Sequence, residues 1–240
     1  ASLKRPKMIY NEETKKYIIW FHADGPTEES DSSYAAAAAG MAISDTPNGP
    51  FTFIRRSRLH QLTDEEYLED NGVLDWYEEP QNRGFARDMN LFIDDDGKAY
   101  MFWGSSNVYP IRGMELDKNR RFIKKGETKE LFNLDMPKHG WERFGENHTD
   151  TVLGGYIEGP WLTKHNGKYY MQYGAPGTEF NVYADGVYVA DYPMGPYTYQ
   201  KHNPVSYKPG GYMNGAGHGS TVLGPGGSIG ILLRCHSLSM

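Results

Sequence analysis

The sequence predicts an all-β protein of the β-propeller class, with blades of four strands. An apolar strand, a short polar turn and a second apolar or aromatic strand recur from near residues 5, 88, 158 and 218. A second hairpin also recurs, because GMAISDTPNGPFTF and GVYVADYPMGPYTY share an apolar strand, a Pro-x-Gly-Pro turn and an aromatic strand. Repeats of this length indicate propellers or arrays, in which each unit buries little apolar surface alone and must stack on its neighbours.

The first repeat, residues 5–55, is expected to contain four strands. Its first hairpin, residues 5–22, alternates apolar and polar side chains around a turn at residues 11–14. The run at residues 35–39 would suit a short helix by propensity, but the match between the two Pro-x-Gly-Pro hairpins favours a strand. In such turns proline presets φ and glycine supplies a positive φ.

The middle of the chain holds a second repeat between two long polar stretches. In the first stretch, residues 60–83, we expect at most one short helical turn, formed by Leu62, Tyr67, Leu68 and Trp76. Repeat two spans residues 88–124, and its second hairpin begins at Gly113. The insert that follows, residues 126–155, is long for a loop in a compact domain, and such loops are usually functional or poorly ordered.

Repeat three spans residues 158–200, and repeat four, residues 218–240, is incomplete. We therefore interpret residues 1–240 as a single β-propeller domain. Three full blades and part of a fourth do not close a ring, so we expect the natural domain to have more chain at both ends. An open propeller edge leaves backbone groups of a strand unpaired, which favours self-association.

Composition excludes several classes of protein. The net charge of −6 argues against a nucleic-acid surface. No apolar run reaches the ~18 residues of a membrane helix, so no membrane partner is expected. A single cysteine, Cys235, excludes an internal disulfide framework. The start, ASLKRPK, has no apolar leader segment, which leaves a processed secreted protein and a cytosolic protein equally open.

Four chemically active residues share one position in an ungapped alignment of the repeats: Arg5, Asp88, Glu158 and His218. The first strand of each propeller blade lines the central axis, so we expect these residues to meet in one pocket. Two carboxylates with an arginine and a histidine form an acid/base constellation. An arginine nearby would favour the ionised form of Asp88. The alternative is that these residues cap strand ends or form ion pairs.

At these residues the sequence resembles glycoside hydrolase family 43. The resemblance lies in the segments RPKMIYN, RDMNLFIDDDGKAY, IEGPWLTKHNGKYYMQYGAPGTEFNVYADGVYV and SYKPGGYMNGAGHGST. It implies a five-bladed propeller that hydrolyses plant-type glycans with inversion, in a secreted or periplasmic setting. It also implies that Glu158 is the general acid, and that Asp88 tunes this acid and orients the substrate. His218 would lie on the axis, where many members hold a calcium ion or an ordered water.

Three features depart from the family pattern. Relatives with a similar N-terminus commonly have glutamate before Arg-Pro, where this chain has Lys4. The catalytic base of most members is an aspartate on the first blade, which this sequence does not contain, so the base is not identified. The last stretch, GGSIGILLRCHSLSM, also lacks the aromatic strand expected after the turn.

Sugar-stacking residues are expected among the aromatic side chains near the pocket. Trp20, His22 and Trp103 come from strands, and Trp141, Phe180 and Tyr183 come from loops. Core packing is the alternative, and it is favoured for a tryptophan within a strand. Arg5 would bind a sugar hydroxyl or Asp88. The acidic run at residues 94–97 is interpreted as a β-turn, because its counterpart at residues 164–167 has no set of metal ligands.

The expected partner is an oligosaccharide or polysaccharide containing arabinose, xylose or galactose. A non-catalytic sugar-binding propeller is the main alternative, which Lys4 and the missing first blade favour. A protein-interaction propeller of the WD-repeat type is disfavoured, because those repeats are shorter and no Trp-Asp ending recurs.

Overall fold

The computed structural model describes residues 2–26, 31, 38–57, 87–116, 128–207 and 213–237. The described residues are almost entirely β, and their helical content is limited to short 3-10 turns. They fall into two compact units, which are considered separately below. The first unit comprises residues 1–104 and 112–129, and the second comprises residues 105–111 and 130–240.

Numbered in chain order, the strands are β1 (Ser2–Asn11), β2 (Lys16–Asp24), β3 (Ala38–Ser44), β4 (Thr52–Ser57), β5 (Asn90–Ile93), β6 (Ala99–Trp103), β7 (Ser105–Ser106), β8 (Ile111–Glu115), β9 (Lys129–Phe132), β10 (Ile157–His165), β11 (Lys168–Ala175), β12 (Ala184–Ala190), β13 (Thr198–Tyr199), β14 (Ser206–Tyr207), β15 (Met213–Leu223) and β16 (Ile229–Ser237). The 3-10 turns lie at residues 140–142, 146–148 and 225–227. No helix in the described part of the chain has the length and apolar character needed to cross a membrane.

In the first unit, β1 to β4 form an antiparallel sheet in chain order. This confirms the four strands expected for repeat one. The turn between β1 and β2 is fixed by Asn11, whose side-chain oxygen accepts hydrogen bonds from the backbone N–H groups of Glu13 and Thr14 at 2.9 and 3.3 Å. An asparagine that bonds to the backbone in this way favours a turn over continued strand.

A further hairpin of the first unit joins β5 and β6 through the acidic run at residues 94–97. The N–H of Gly97 donates to the carbonyl oxygen of Asp94 at 2.9 Å, and Gly97 has a φ of 82°. The expected β-turn is therefore confirmed. The helical turn expected within residues 60–83 lies outside the described residues, as do residues 117–124 of the second hairpin of repeat two.

The core of the first unit is a cluster of apolar side chains from its strands. Trp20 and Trp103 are each 1% exposed and belong to this cluster. Around them pack aliphatic and sulfur-containing side chains, including Ile18, Met41, Met89 and Met101. Burial of such side chains contributes roughly 1.5–3 kcal/mol each, so this cluster accounts for much of the unit's stability.

In the second unit, β10, β11 and β12 form the centre of an antiparallel sheet, with β7 beside β10 and with β13 and β14 beside β12. The turn between β10 and β11 consists of Asn166 and Gly167, whose φ values are 48° and 73°. Two successive positive φ angles match the twist of a tight hairpin, and Asn-Gly tolerates them well. The hairpin expected after Glu158 is therefore confirmed.

A cluster of aromatic side chains packs against one face of this sheet. Tyr173 is completely buried, and Phe132 stacks on Tyr188 with ring centroids 4.0 Å apart. Gly186 lies opposite Tyr173 in the β11–β12 pairing, and a Cβ atom there would come within 2.8 Å of the Tyr173 ring. A side chain at residue 186 would collide with this ring, which explains why the GVYVADYPMGPYTY motif begins with glycine.

Candidate active site

The first strand of each repeat carries the same distortion near its start. Arg5, Asp88 and His218 have φ values of 51°, 54° and 53°, and Gly159 has a φ of 60°. In β1, β10 and β15, two consecutive residues at this point face a single residue of the partner strand. Such β-bulges occur near functional sites, because the extra residue re-aims the neighbouring side chains.

This geometry corrects the ungapped alignment of repeat three. The left-handed residue is Arg5 in β1 and Gly159 in β10, so Arg5 is equivalent to Gly159 and Lys4 is equivalent to Glu158. Glu158 therefore lies one residue before the position that Arg5, Asp88 and His218 share. The signal for the correct register was present in the sequence, since a proline follows the left-handed residue in both RPK and GPW.

In the first unit, Arg5 and Asp88 are brought together. The Nε of Arg5 lies 2.9 Å from Oδ1 of Asp88, whose side chain is only 2% exposed. The backbone N–H of Asp88 donates to Nδ1 of His22 at 3.1 Å. The ring of His22 is 1% exposed, and its burial lowers its pKa, so we assign it as neutral with the proton on Nε2.

A second buried carboxylate, Asp24, lies beside this group and was not among the predicted site residues. It is completely buried, and its nearest cations are Lys4 Nζ at 3.1 Å and Arg87 Nε at 3.6 Å. Nε2 of His22 lies 3.5 Å from Asp24 Oδ2. The two carboxylates of this group thus each have a cationic partner and share one histidine between them.

In the second unit, Glu158 has a hydroxyl on each carboxyl oxygen. The hydroxyl of Tyr183 donates to Oε1, and Ser105 Oγ donates to Oε2 at 3.1 Å. The Glu158 side chain is 15% exposed, so it is sheltered but still reaches solvent. A hydroxyl can donate to an ionised carboxylate or accept from a protonated carboxyl, so Glu158 has partners in both protonation states.

His218 completes this group within the second unit. Its Nδ1 lies 3.6 Å from Oε1 of Glu158. The ring packs against the backbone of Gly159, where a Cβ atom would come within 2.7 Å of Nε2. Two constraints therefore favour glycine at residue 159: its left-handed φ, which a residue with a Cβ atom adopts poorly, and the close ring of His218.

Asp185 contacts the backbone of the β15 bulge, next to His218. It is completely buried, and burial raises the pKa of its carboxyl to about 7. Its Oδ2 accepts hydrogen bonds from Gln172 Nε2 at 2.7 Å and from the N–H of Gly219 at 3.0 Å. This residue was not predicted as part of the site, although an acidic residue within the apolar strand ADGVYV was a usable signal.

The aromatic residues expected to stack on sugars have different environments. Trp20 and Trp103 are each 1% exposed in the core of the first unit, so core packing explains them and the stacking role is withdrawn. His22 is equally buried; its Nδ1 accepts from the backbone N–H of Asp88, and its Nε2 lies 3.5 Å from Asp24. Tyr183 is completely buried, and its hydroxyl serves Glu158. The three residues expected on strands and Tyr183, expected in a loop, are therefore all too buried to stack on a sugar ring.

Trp141 and Phe180 retain accessible surface in the second unit. Trp141 lines a cleft of about 340 Å³, and its indole N–H donates to the Tyr199 hydroxyl at 2.8 Å. The remaining lining residues are Gly140, Arg143, Asn147, His148, Pro204 and Tyr207. Phe180 is 38% exposed, and its ring lies 5.5 Å from that of Phe144. The long insert at residues 126–155 thus contributes several walls of a cleft.

A family model described as glycosyl hydrolases family 43 matches residues 6–238. The chain belongs to glycosyl hydrolase family 43. It is 26% identical over 215 residues to the xylosidase/arabinosidase 43A of Humicola insolens, which covers 77% of this chain and 53% of that protein. The chain spans about half the length of several curated family-43 relatives that it matches.

Solved family-43 structures share its fold. An endo-1,4-β-xylanase from Bacteroides thetaiotaomicron VPI-5482 aligns with a TM-score of 0.65 and 24% identity over 98% of this chain and 66% of that chain. The exo-β-1,3-galactanase of Phanerochaete chrysosporium with β-1,3-galactotriose aligns with a TM-score of 0.54 and 23% identity over 83% of this chain and 35% of that chain. At these identities the structures support the fold alone. Family-43 structures are β-propellers, while the blade number and the incompleteness of this chain stay predictions.

The donor groups around His218 fit calcium poorly. Calcium prefers six to eight oxygen ligands, whereas His218 offers nitrogen. The carboxylate next to it, Glu158, already accepts hydrogen bonds from Tyr183 and Ser105. Calcium binding stays a prediction, and no step below is routed through a metal. The meeting of Arg5, Asp88, Glu158 and His218 in one pocket also stays a prediction.

Proposed function

We propose that this family-43 chain is the catalytic part of a glycosidase that acts on arabinose-, xylose- or galactose-containing plant glycans. The single observation that carries the proposal is the environment of Glu158. It is a half-sheltered carboxyl with a hydroxyl on each oxygen and a histidine at 3.6 Å, on a bulged strand of a family-43 chain. The relatives named as xylosidase/arabinosidase and galactofuranosidase support the substrate class.

Glu158 would act as the general acid. Its proton would pass to the glycosidic oxygen as the bond to the sugar breaks, and the carboxylate left behind would be stabilised by the hydroxyls of Tyr183 and Ser105. These donors are already in place, so little reorganisation accompanies the developing charge. As the bond breaks, water would attack the sugar from the opposite face and give its proton to a second carboxylate that acts as the general base, which inverts the anomeric carbon.

Asp88 would orient the substrate and assist the acid, as the family resemblance implies. Its carboxylate is paired with Arg5 at 2.9 Å, and its backbone N–H donates to buried His22, so both the side chain and the backbone of Asp88 are held. Arg5 retains 30% of its side-chain exposure, which leaves guanidinium N–H groups able to reach a sugar hydroxyl. Trp141 and Phe180 would contribute apolar faces for sugar rings.

The decisive experiment is proton NMR of the protein with a panel of arabino-, xylo- and galacto-oligosaccharides. We expect a new reducing sugar that first appears in the inverted anomeric form.

Replacing Glu158 by Gln should abolish turnover while the melting temperature stays close to that of the wild type, because the amide keeps the shape of the carboxyl. The Glu12→Gln variant is the control, since Glu12 lies in an exposed turn. Full activity in Glu158→Gln would rule out the assigned acid.

A non-catalytic sugar-binding function is the second candidate, and the first unit supports it. Lys4 occupies the position equivalent to Glu158, and both buried carboxylates of this group, Asp24 and Asp88, are paired with cations. A carboxylate held in this way is poorly placed to activate a water molecule. This candidate predicts line broadening of the oligosaccharide signals without any new product in the same NMR experiment.

A further inference from the structure

Asp185 is a buried acidic residue to which the proposed chemistry assigns no task. Its side chain is completely buried on β12, yet it contacts two neighbouring strands. Oδ2 accepts from Gln172 on β11 and from the backbone N–H of Gly219 on β15. The backbone N–H of His218 also interacts with this carboxyl. One carboxyl group therefore joins three strands at the point where β15 bulges.

The amide that holds Asp185 is itself fixed. Gln172 donates through Nε2 to Asp185, and its Oε1 accepts a hydrogen bond from Thr221 Oγ1 at 2.8 Å. Gln172 is 3% exposed, so water competes little for these bonds. Because both ends of the Gln172 amide are bonded in a buried site, displacing it would leave buried groups of Thr221 and Asp185 without these bonds.

The backbone bound by this network carries His218. The bulge places residues 218 and 219 opposite a single residue of β16, His218 has a left-handed φ of 53°, and its Nδ1 lies 3.6 Å from Oε1 of Glu158. The left-handed conformation is unfavourable for a residue with a Cβ atom, so an external contact has to maintain it. The Asp185 carboxyl, which binds the backbone on the C-terminal side of His218, provides that contact.

We infer that Asp185, held by Gln172, is a positioning residue that fixes the β15 bulge and so keeps the His218 ring against Glu158. The catalytic meaning of this contact rests on the proposed function, whereas the positioning itself is a property of the second unit. Asp185 does not touch the proposed acid; it acts on Glu158 only through the backbone that carries His218.

The first test needs no substrate. The protein is treated with diethylpyrocarbonate, and the rate of carbethoxylation of each histidine ring is followed by peptide mass spectrometry. We expect the rate at His218 to rise several-fold in Asp185→Ala, because the ring is released from its sheltered position. Exposed His165 and His202 serve as internal references whose rates should not change.

Two further variants separate positioning from general loosening. Asp185→Asn keeps an oxygen that accepts from Gly219, so its His218 rate should stay close to that of the wild type. Glu142→Gln alters another completely buried carboxyl of the same unit, bonded to Tyr173 at 2.6 Å, and should leave the rate unchanged. If Asp185→Ala does not fold, Gln172→Met removes the anchoring amide and should give the same rise. An unchanged rate at His218 in a folded Asp185→Ala or Gln172→Met protein would overturn the inference.

A double-mutant cycle connects the positioning to turnover once a substrate is found. Asp185→Ala should lower kcat several-fold with little change in KM, and it should have almost no effect in a His218→Ala background. Additive losses in the double variant would show that Asp185 acts independently of His218, which contradicts the inference. Absence of turnover in the wild type would count against the proposed function, while the labelling rates would still decide the positioning.

Discussion

At the residue scale, the two carboxyl oxygens of Glu158 are not equivalent. Oε1 faces both the Tyr183 hydroxyl and the His218 ring, whereas Oε2 faces Ser105. Tyr183 is completely buried, so its hydroxyl has few alternative partners. We therefore expect the hydrogen bond from Tyr183 to fix the Glu158 carboxyl more strongly than the hydrogen bond from Ser105.

Replacing Tyr183 by Phe should lower kcat about 10- to 100-fold, because a hydrogen bond to a charged group is worth roughly 1.5–3 kcal/mol. The fold should survive, since the ring still fills its place. Steady-state kinetics on the substrate identified by NMR would measure the effect. Tyr197→Phe is a matched control, because that hydroxyl donates to the carbonyl oxygen of Pro193 at 2.6 Å in a turn. A Tyr183→Phe enzyme as active as Tyr197→Phe would contradict the role of the hydroxyl.

Sequence patterns predicted some residue environments and failed for others. Alternation along a strand separates two sets of side chains, but it does not say which set faces the core. Trp20 and Trp103 were therefore candidates for a sugar site, although they are 1% exposed. Asp24 was missed because its role depends on Lys4 and Arg87, which are distant in sequence and meet only in the folded unit.

At the scale of secondary-structure elements, the bulge of β10 lies directly after Glu158 and includes Gly159. Residues 159 and 160 lie opposite one residue of β11, and Gly159 has a φ of 60°. A side chain at residue 159 would meet both an unfavourable backbone conformation and the ring of His218.

Gly159→Ala should destabilise the protein and reduce activity together. The left-handed backbone alone costs roughly 1–2 kcal/mol for a residue with a Cβ atom. Gly167→Ala isolates this contribution, because Gly167 has a φ of 73° and a Cβ atom added there would meet no other atom within 4 Å. Urea denaturation should show a larger loss for Gly159→Ala than for Gly167→Ala. Equal losses in the free energy of unfolding would mean that the His218 ring can move away from the new Cβ atom without destabilising the protein.

The hairpins were predictable because their signals are local. Asn-Gly at residues 166–167 and the acidic run ending at Gly97 each specify a turn without any distant contact. The offset of Glu158 was not recognised, because the repeats were aligned on apolar residues and Met8 was matched with Trp161, whereas the strand pairing makes Leu162 its equivalent. Asp185 was missed for a different reason, because its partners Gln172 and Gly219 come from two other strands.

At the scale of the whole molecule, buried acidic groups should make stability depend on pH. Burial raises the pKa of Asp185 to about 7 and also raises the pKa of Glu142. An acid with a raised pKa keeps its proton in the folded state after the unfolded chain has lost it. Between about pH 4 and pH 7, the free energy of unfolding therefore falls as the pH rises.

The Asp185→Asn variant should lack this dependence. The free energy of unfolding of the wild type relative to Asp185→Asn should fall by up to roughly 4 kcal/mol from pH 4 to pH 7.5. Urea denaturation at several pH values would measure the difference. Asp191→Asn, at an exposed residue paired with Lys168, should run parallel to the wild type across this range. A constant difference between the wild type and Asp185→Asn would show that the pKa of Asp185 is not raised in the folded protein.

The family and the all-β class were predictable from the sequence because they depend on several segments spread over the chain. A resemblance in RPKMIYN alone would carry little weight, whereas four segments in one order are specific. The number of blades is not encoded in this way, since each repeat specifies its own hairpins and only the contacts between repeats determine how many fit.

The hairpin of β15 and β16 has one sheltered end and one open end. Ala216 is 3% exposed, whereas Leu223, Ile231 and Leu232 are 70%, 47% and 61% exposed. Neighbouring residues 231 and 232 point to opposite faces, so both faces of β16 are open there. Amide hydrogen exchange should therefore form a gradient, slow at Gly219 and fast at residues 222–223 and 231–233. His218 lies next to Gly219 toward the sheltered end, so we expect opening of the tip to leave its backbone closed, and slow exchange at Gly219 beside fast exchange at residues 222–223 would verify this.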